Sequence, residues 1–339
     1  MSPAAPPRQR PFMQVDVFTA VPYQGNPLAV VLDGAGLSDD AMQRFAHWTN
    51  LSETTFVLPP STQGAAAGAD YRVRIFTPGG ELPFAGHPTL GTCHAWLAHG
   101  GQPREAGLVR QECAVGVVTL RRLGNTDGTD GSPPSSSSAE RMAFAAPPLT
   151  RSTPDAGHLQ AVRQALGLQS HQVLAAQTLN NGPEWLGLLI DSPDTLMTLD
   201  PDHNSLKALG QKVGVAALQP ANPELPLITR SSREARAFAA SPSTSNPAGT
   251  ANTEPDLWVR AFVAPVGIPE DPVTGSLNAS LAQWLMADGL LPQHRSHAYT
   301  ATQGQALGRD GLVFLSRDDS GQVWVCGDVT ACIQGEVTL

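Results

Sequence analysis

The chain has 339 residues, 41% of them hydrophobic and only 15% charged, against roughly 25% charged in an average soluble chain. Its net charge of −9, from 21 basic and 30 acidic residues, argues against a nucleic-acid surface, because phosphate binding needs clustered cations. No apolar run reaches the ~18 residues of a membrane span, so no membrane association is expected.

Gln14-Val15-Asp16-Val17-Phe18 alternates polar and apolar residues and reads as a strand. Gly25-Asn26-Pro27 then turns the chain into the buried run Leu28-Ala29-Val30-Val31-Leu32. Ser38 caps a helix with Asp39 and Asp40 in its first turn, and Met42, Phe45, Ala46 and Trp48 follow near 3–4 spacing. Asn50 is a left-handed stop for that helix. Residues 51–58 and 71–77 read as strands, 88–98 as a helix ended by Gly100-Gly101, and 115–120 as a further strand. Residues 124–138 lack periodicity and read as a linker. The second half repeats the mixture of short strands and helices, with a polar surface insertion at 241–254.

The two halves share a pattern. Val73-Arg74-Ile75-Phe76 recurs 186 residues later as Val259-Arg260-Ala261-Phe262. Pro88-Thr89-Leu90-Gly91-Thr92 recurs 184 residues later as Pro272-Val273-Thr274-Gly275-Ser276, and each opens a helix carrying a Trp-Leu pair. Such strand–turn–helix units can coincide by chance, or they are two copies of one ancestral unit related by a pseudo-twofold axis. Proline favours the first helical position, which would put His87 and Asp271 near two helix N-caps. Unpaired N–H groups and the helix dipole attract anions there, so two such ends facing one cleft would bind a small anionic metabolite such as a carboxylate.

Three polar residues are candidates for chemistry, each with a plainer reading beside it. Glu53 begins an apolar strand; it faces water at a strand end, or desolvation raises its pKa and makes it a base near neutral pH. His87 is a satisfied polar residue or an acid–base group, and Asp271 an N-cap or a cleft carboxylate. Glu270 reads as a solvated neighbour. Nothing has metal-ligand spacing: His87, His94 and His99 form no HExxH pair, and Cys93, Cys113, Cys326 and Cys332 form no CxxC. These cysteines read as reduced thiols, and residues 1–11 lack a signal peptide's apolar stretch, so a cytoplasmic location is expected. No Gly-rich dinucleotide fingerprint follows the first strand, and no GxSxG elbow appears.

Several segments together resemble the PhzF-like phenazine-biosynthesis isomerase family, within the diaminopimelate-epimerase-like fold. They are Asp16-Val17-Phe18-Thr19, Gly25-Asn26-Pro27-Leu28-Ala29-Val30-Val31, Asn50-Leu51-Ser52-Glu53-Thr54-Thr55-Phe56 and Arg74-Ile75-Phe76-Thr77-Pro78. Glu81-Leu82-Pro83-Phe84-Ala85-Gly86-His87-Pro88-Thr89-Leu90-Gly91 and Gly182-Pro183-Glu184-Trp185 follow. The last are Gly267-Ile268-Pro269-Glu270-Asp271-Pro272-Val273-Thr274-Gly275-Ser276, then Gln303-Gly304 with Gly308-Arg309.

The resemblance implies an α+β fold of two pseudo-symmetric lobes, each a curved, mostly antiparallel sheet around a central helix. The N-terminal lobe is expected over 12–123, completed by residues from about 325 to 339, and the C-terminal lobe over 139–324. It also implies a cofactor-free isomerase, often a homodimer. The family's best-understood members act on trans-2,3-dihydro-3-hydroxyanthranilate, moving a proton with the Glu in the position of Glu53, assisted by the residues matching His87 and Asp271. Asn26 and the backbone at Gly86, Gly275 and Ser276 would hold the substrate. Epimerases of this fold use two cysteines, and none stands at these positions here. A bulky Leu277 after Ser276 is expected to narrow the pocket. A silent metabolite-binding protein and a Glu-based epimerase are the alternatives.

Overall fold

Alternating burial marks the strands and all-round burial marks two of the helices. The computed structural model describes residues 7–123, 140–220 and 254–339. The linker expected at 124–138, and all but the last residue of the insertion expected at 241–254, lie outside them. The first half runs β1 (Gln9–Val17), β2 (Asn26–Val31), α1 (Asp39–Thr49), β3 (Glu53–Leu58), α2 (Thr62–Ala66), β4 (Tyr71–Thr77) and β5 (Gly80–Leu82). It continues with α3 (Gly86–Ala98), β6 (Leu108–Cys113), β7 (Gly116–Leu123) and β8 (Glu140–Ala145). The second half runs β9 (Thr150–Ser152), α4 (Ala156–Ala165), β10 (Val173–Asn180), β11 (Glu184–Ile190), α5 (Pro193–Met197), α6 (His203–Leu209) and β12 (Val213–Leu218). β13 (Leu257–Phe262), β14 (Glu270–Asp271), α7 (Gly275–Ala287), β15 (Ala298–Gln303), β16 (Gly311–Arg317) and β17 (Val323–Thr338) complete it.

The local signals act as the sequence indicates. Ser38 accepts a hydrogen bond from Ala41 N at the start of α1, and Asn50 ends that helix in the left-handed region at φ 54°. Pairing then builds two similar curved sheets. In the first, β17, β1, β2, β3, β4, β6, β7 and β8 pair in that order, and β8 returns to β17, closing a ring. In the second, β9, β10, β11, β12, β13, β15, β16 and β17 pair in sequence. Both are antiparallel except at two places each: β2–β3 and β4–β6 in the first, β11–β12 and β13–β15 in the second. β17 serves both lobes, pairing β16 and β8 near its start and β1 from Val329 onward.

A 13-residue helix lies inside each sheet, α3 in the first and α7 in the second. Both are apolar on nearly every face, the composition of a helix with no solvent side. α3 packs on β1, β2, β3, β8 and β17, and α7 on β10, β16 and β17. This is the α+β architecture of two lobes around central helices.

The repeated tetrapeptide has the same physical role in both lobes. Arg74 grips Glu81 with two bonds of 2.7 and 2.6 Å, and its guanidinium lies 5.0 Å from the Phe76 ring centre. Arg260 grips Glu270 at 3.0 and 2.7 Å and lies 4.9 Å from the Phe262 ring centre. Each pair clamps a β-strand to the short strand that leads into a central helix. Glu270 is therefore not solvated: its side chain is 5% exposed and that of Arg260 8%. Arg260 also donates to the carbonyls of Leu196 and Leu199, which completes its coordination. Removing one partner of a buried pair strands the other charge, so Arg260→Met is expected to cost about 3–5 kcal/mol, read as a loss in chemical-denaturation stability. Replacing both partners with apolar residues should recover most of it; a double variant no better than the single would count against this account.

Candidate active site

α3 and α7 meet head to head at their N-termini. A Cβ added to Gly86 would lie 2.7 Å from Gly275 Cα and 2.9 Å from Ser276 N, and one added to Gly275 would lie 2.8 Å from Gly86 Cα. The backbones touch, so no side chain fits between them. This contact explains why the helices begin at these glycines. α3 starts at Gly86 with Ala85 as its N-cap, so His87 is inside the first turn and Pro88 is its third residue. α7 starts at Gly275 with Thr274 as its N-cap, so Asp271 precedes the cap by three residues and sits in β14. The N-cap placement read from the prolines is thus corrected: Pro88 stands third in α3, where its missing N–H costs no helical bond, and Pro272 lies two residues before the Thr274 cap, outside the helix.

Neither helix start has a side-chain cap. The other α-helices among the described residues all do, through Ser38, Ser61, Asp155, Ser192 and Asp202. The first-turn N–H groups of α3 and α7 therefore have no intrahelical or capping acceptor, and two dipoles point their positive ends at one place. That is an anion cradle.

Three polar side chains converge beside it. Glu53 Oε2 lies 3.3 Å from His87 Nε2, yet neither atom makes a hydrogen bond among the described residues, and both are buried. Asn26, fully buried, approaches His87 Nδ1 at 3.2 Å and donates to Asp271 Oδ1 at 2.9 Å and Val273 O at 2.9 Å. It acts as a bridge from β2 of one lobe to β14 of the other rather than as a group facing the cleft. If Nδ1 accepts from Asn26, the imidazole proton sits on Nε2, towards Glu53. Asp271 also accepts from Thr274 Oγ1 at 2.5 Å. Gln303 holds this corner, donating to Asp271 O and Thr274 Oγ1 and accepting from Thr274 N and Asn278 Nδ2.

The electrostatics follow from burial. It pushes Glu53 well above the usual carboxylate range, reinforced by the neighbouring Asp271 and opposed by Lys212. It pushes Asp271 up to about 6 against the hydrogen bonds from Thr274, Asn26 and Ser52. It pushes His87 down to about 3. At neutral pH the imidazole is uncharged and Asp271 is largely ionised. Burial thus raises the proton affinity of two neighbouring carboxylates, which suits a carboxylate to acid–base work nearer neutral pH.

This corner borders a small cleft of about 60 Å³. Glu53, Asp271, Thr274 and Ser276 line it, with Phe84, Trp185, Lys212, Val263 and Ile268 among the rest. Of the sequence candidates, Glu53, His87, Asp271, Gly86, Gly275 and Ser276 gather here, with Asn26 behind them. Leu277 does not narrow the cleft: it is fully buried and fills the space against Gly214, which corrects that expectation. None of the four cysteines lines it. No cluster of three or more His, Cys, Asp and Glu able to hold a metal occurs among the described residues, and no helix there is long and apolar enough to cross a membrane. Lys212 and Trp185 were not among the sequence candidates for the site, although Lys212 is one of only two lysines in the chain, with Lys207.

Known proteins share this architecture. A sequence model of the phenazine biosynthesis-like protein family, PhzC-PhzF, matches residues 15–335. Antisense-enhancing sequence 1 of Schizosaccharomyces pombe is 30% identical over 335 residues, 96% of this chain and 97% of that protein. A trans-2,3-dihydro-3-hydroxyanthranilate isomerase of Pseudomonas fluorescens is 37% identical over 195 residues, 58% of this chain and 62% of its own length. Among solved structures, a PhzF-family phenazine biosynthesis protein of Bacillus anthracis superposes with a TM-score of 0.72 at 20% identity, covering 98% of this chain and all of that one. The continuous match and the two-lobed fold with facing helix ends place this chain in the phenazine biosynthesis-like, PhzC-PhzF, family.

Proposed function

We propose that this protein is an isomerase that moves a proton within a small carboxylate-bearing metabolite, dihydroaromatic or amino-acid-like, without a cofactor. The observation that carries the reading is the pair Glu53 Oε2 and His87 Nε2, buried, 3.3 Å apart and without hydrogen-bond partners, beside two uncapped helix starts. Relatives named as isomerases support the class of reaction. The substrate carboxylate accepts hydrogen bonds from the free N–H groups at Gly86, Gly275 and Ser276. Ionised Glu53 takes a proton from a neighbouring carbon; its raised proton affinity makes it a stronger base than an exposed carboxylate. The electron pair left on carbon spreads into the conjugated carboxylate, where the helix ends stabilise the added charge. Protonated Glu53 then returns the proton at another carbon, so substrate and product have the same composition. Asp271 and His87 hold the substrate and assist these transfers.

The test is isotope exchange in D2O with trans-2,3-dihydro-3-hydroxyanthranilate as the probe, followed by mass spectrometry. Deuterium is expected on carbon of the probe or its isomer with the wild-type protein and not with Glu53→Gln. Bound probe that takes up no deuterium would instead make this a metabolite-binding protein.

A further inference from the structure

We propose that Lys212 and Trp185 form a second anion-recognition point in this cleft, so that it favours a ligand with two acidic groups over one with a single acidic group. The inference rests on the cleft being the substrate site and deepens that reading. Lys212 is the one cation among the lining residues, which otherwise supply two carboxylates, four hydroxyls, two aromatic rings and aliphatic side chains. It is half-buried, yet its ammonium has no ion pair or hydrogen bond among the described residues. Its one close partner is the Trp185 indole, whose ring centre lies 5.5 Å from Nζ. Glu53 and Glu184 act on it only at longer range.

Trp185 adds an independent sign. It is 3% exposed, lines the same cleft, and its indole N–H has no acceptor. Two unpartnered donors thus stand side by side on one wall. The backbone fixes them there: Trp185 lies in β11 and Lys212 immediately precedes β12, strands that run parallel with Leu186 beside Val213. Lys212 O also accepts from Leu186 N at 2.9 Å, tying the two residues' backbones together. A half-buried ammonium and a buried N–H both lose water without gaining a protein acceptor among the described residues, and a carboxylate restores both bonds. The anion cradle at α3 and α7 already accounts for one acidic group, so the donors at Lys212 and Trp185 call for another. Were Lys212 present only to moderate the charge of Glu53, its loss would alter the pH profile of turnover and leave ligand discrimination untouched.

Calorimetry with benzoate, isophthalate and terephthalate separates these cases, the last two offering a second carboxylate at different reaches. At least one dicarboxylate is expected to bind wild type about tenfold or more tighter than benzoate, as a charge-assisted hydrogen bond allows. That preference, taken as the ratio of the two affinities in each variant, should vanish in Lys212→Met, persist in Lys212→Arg and weaken in Trp185→Phe. Lys212→Arg also guards against a folding defect. Dicarboxylates that bind wild type no better than benzoate, or a preference that survives Lys212→Met, overturn the proposal. If neither class of acid binds, the anion cradle fails with it. A dicarboxylate that binds where benzoate does not, and is lost in Lys212→Met, upholds Lys212 while the cradle falls.

Discussion

Glu53→Gln is expected to lower proton exchange into the probe by about 10²–10⁴-fold while leaving the fold intact. Gln keeps the size and one oxygen of the side chain but cannot accept a proton from carbon. His87 is held neutral with its pKa near 3, too weak a base to substitute. Asp271 is already engaged by Thr274 and Asn26. Exchange at the wild-type rate in Glu53→Gln would remove Glu53 from the reaction.

The same substitution has an opposite effect on stability, and its sign follows from linkage. The raised pKa means that folded Glu53 binds its proton more tightly than in the unfolded chain. Between the ordinary carboxylate value and the raised one the folded state holds more protons, so stability falls as pH rises through that window. Asp271, raised to about 6, contributes in the same direction. His87, lowered to about 3, contributes in the other, adding stability as pH rises from about 3 towards the ordinary histidine value. Subtracting wild type from Glu53→Gln leaves chiefly the Glu53 effect. The variant should melt higher than wild type at alkaline pH, with the advantage shrinking towards about pH 4, where both forms are uncharged at this position. An advantage independent of pH would show that the gain has another origin.

Gly275→Ala and Gly86→Ala should each disable the protein although only one methyl group is added. The new Cβ on Gly275 would lie 2.8 Å from Gly86 Cα and 3.0 Å from His87 N, and the one on Gly86 2.7 Å from Gly275 Cα. The obstructing atoms are backbone, so the helix ends must separate rather than a side chain rotate. Overpacking of this kind costs about 1–3 kcal/mol, and a displacement of about 1 Å at a reacting centre can cost about 10²-fold in rate. Gly79→Ala is the control: its Cβ would meet only Thr77 Oγ1, at 3.8 Å. Turnover and melting temperature matching wild type in Gly275→Ala would mean that the two lobes do not depend on this contact.

Much of this was legible in the chain. The α1 caps at Ser38 and Asn50 act locally, through hydrogen bonds a few residues long, and they appear as read. The recurrence of Val-Arg-Ile-Phe as Val-Arg-Ala-Phe marked a repeated unit, and in each copy the Arg lies over the Phe two residues on. Glu270 was misread because its partner is ten residues away across a turn, and nothing local distinguishes a carboxylate that meets Arg260 from one that meets water. Leu277 was misread for a similar reason: helix α7 turns it towards Gly214, away from the cleft.

Residue identity and periodicity by themselves determined the strands, the α1 caps and the repeated strand–turn–helix pattern, because these are short-range signals; the two-lobe plan and the grouping of Glu53, His87 and Asp271 were legible only through the resemblance to a known family. Only the tertiary structure decided that Asn26 ties His87 to Asp271, and that Lys212 stands beside Trp185 in the same cleft. The first joins residues 245 positions apart and exists only once two separately wound sheets bring their helix ends together, and the second needs β11 and β12 to pair side by side.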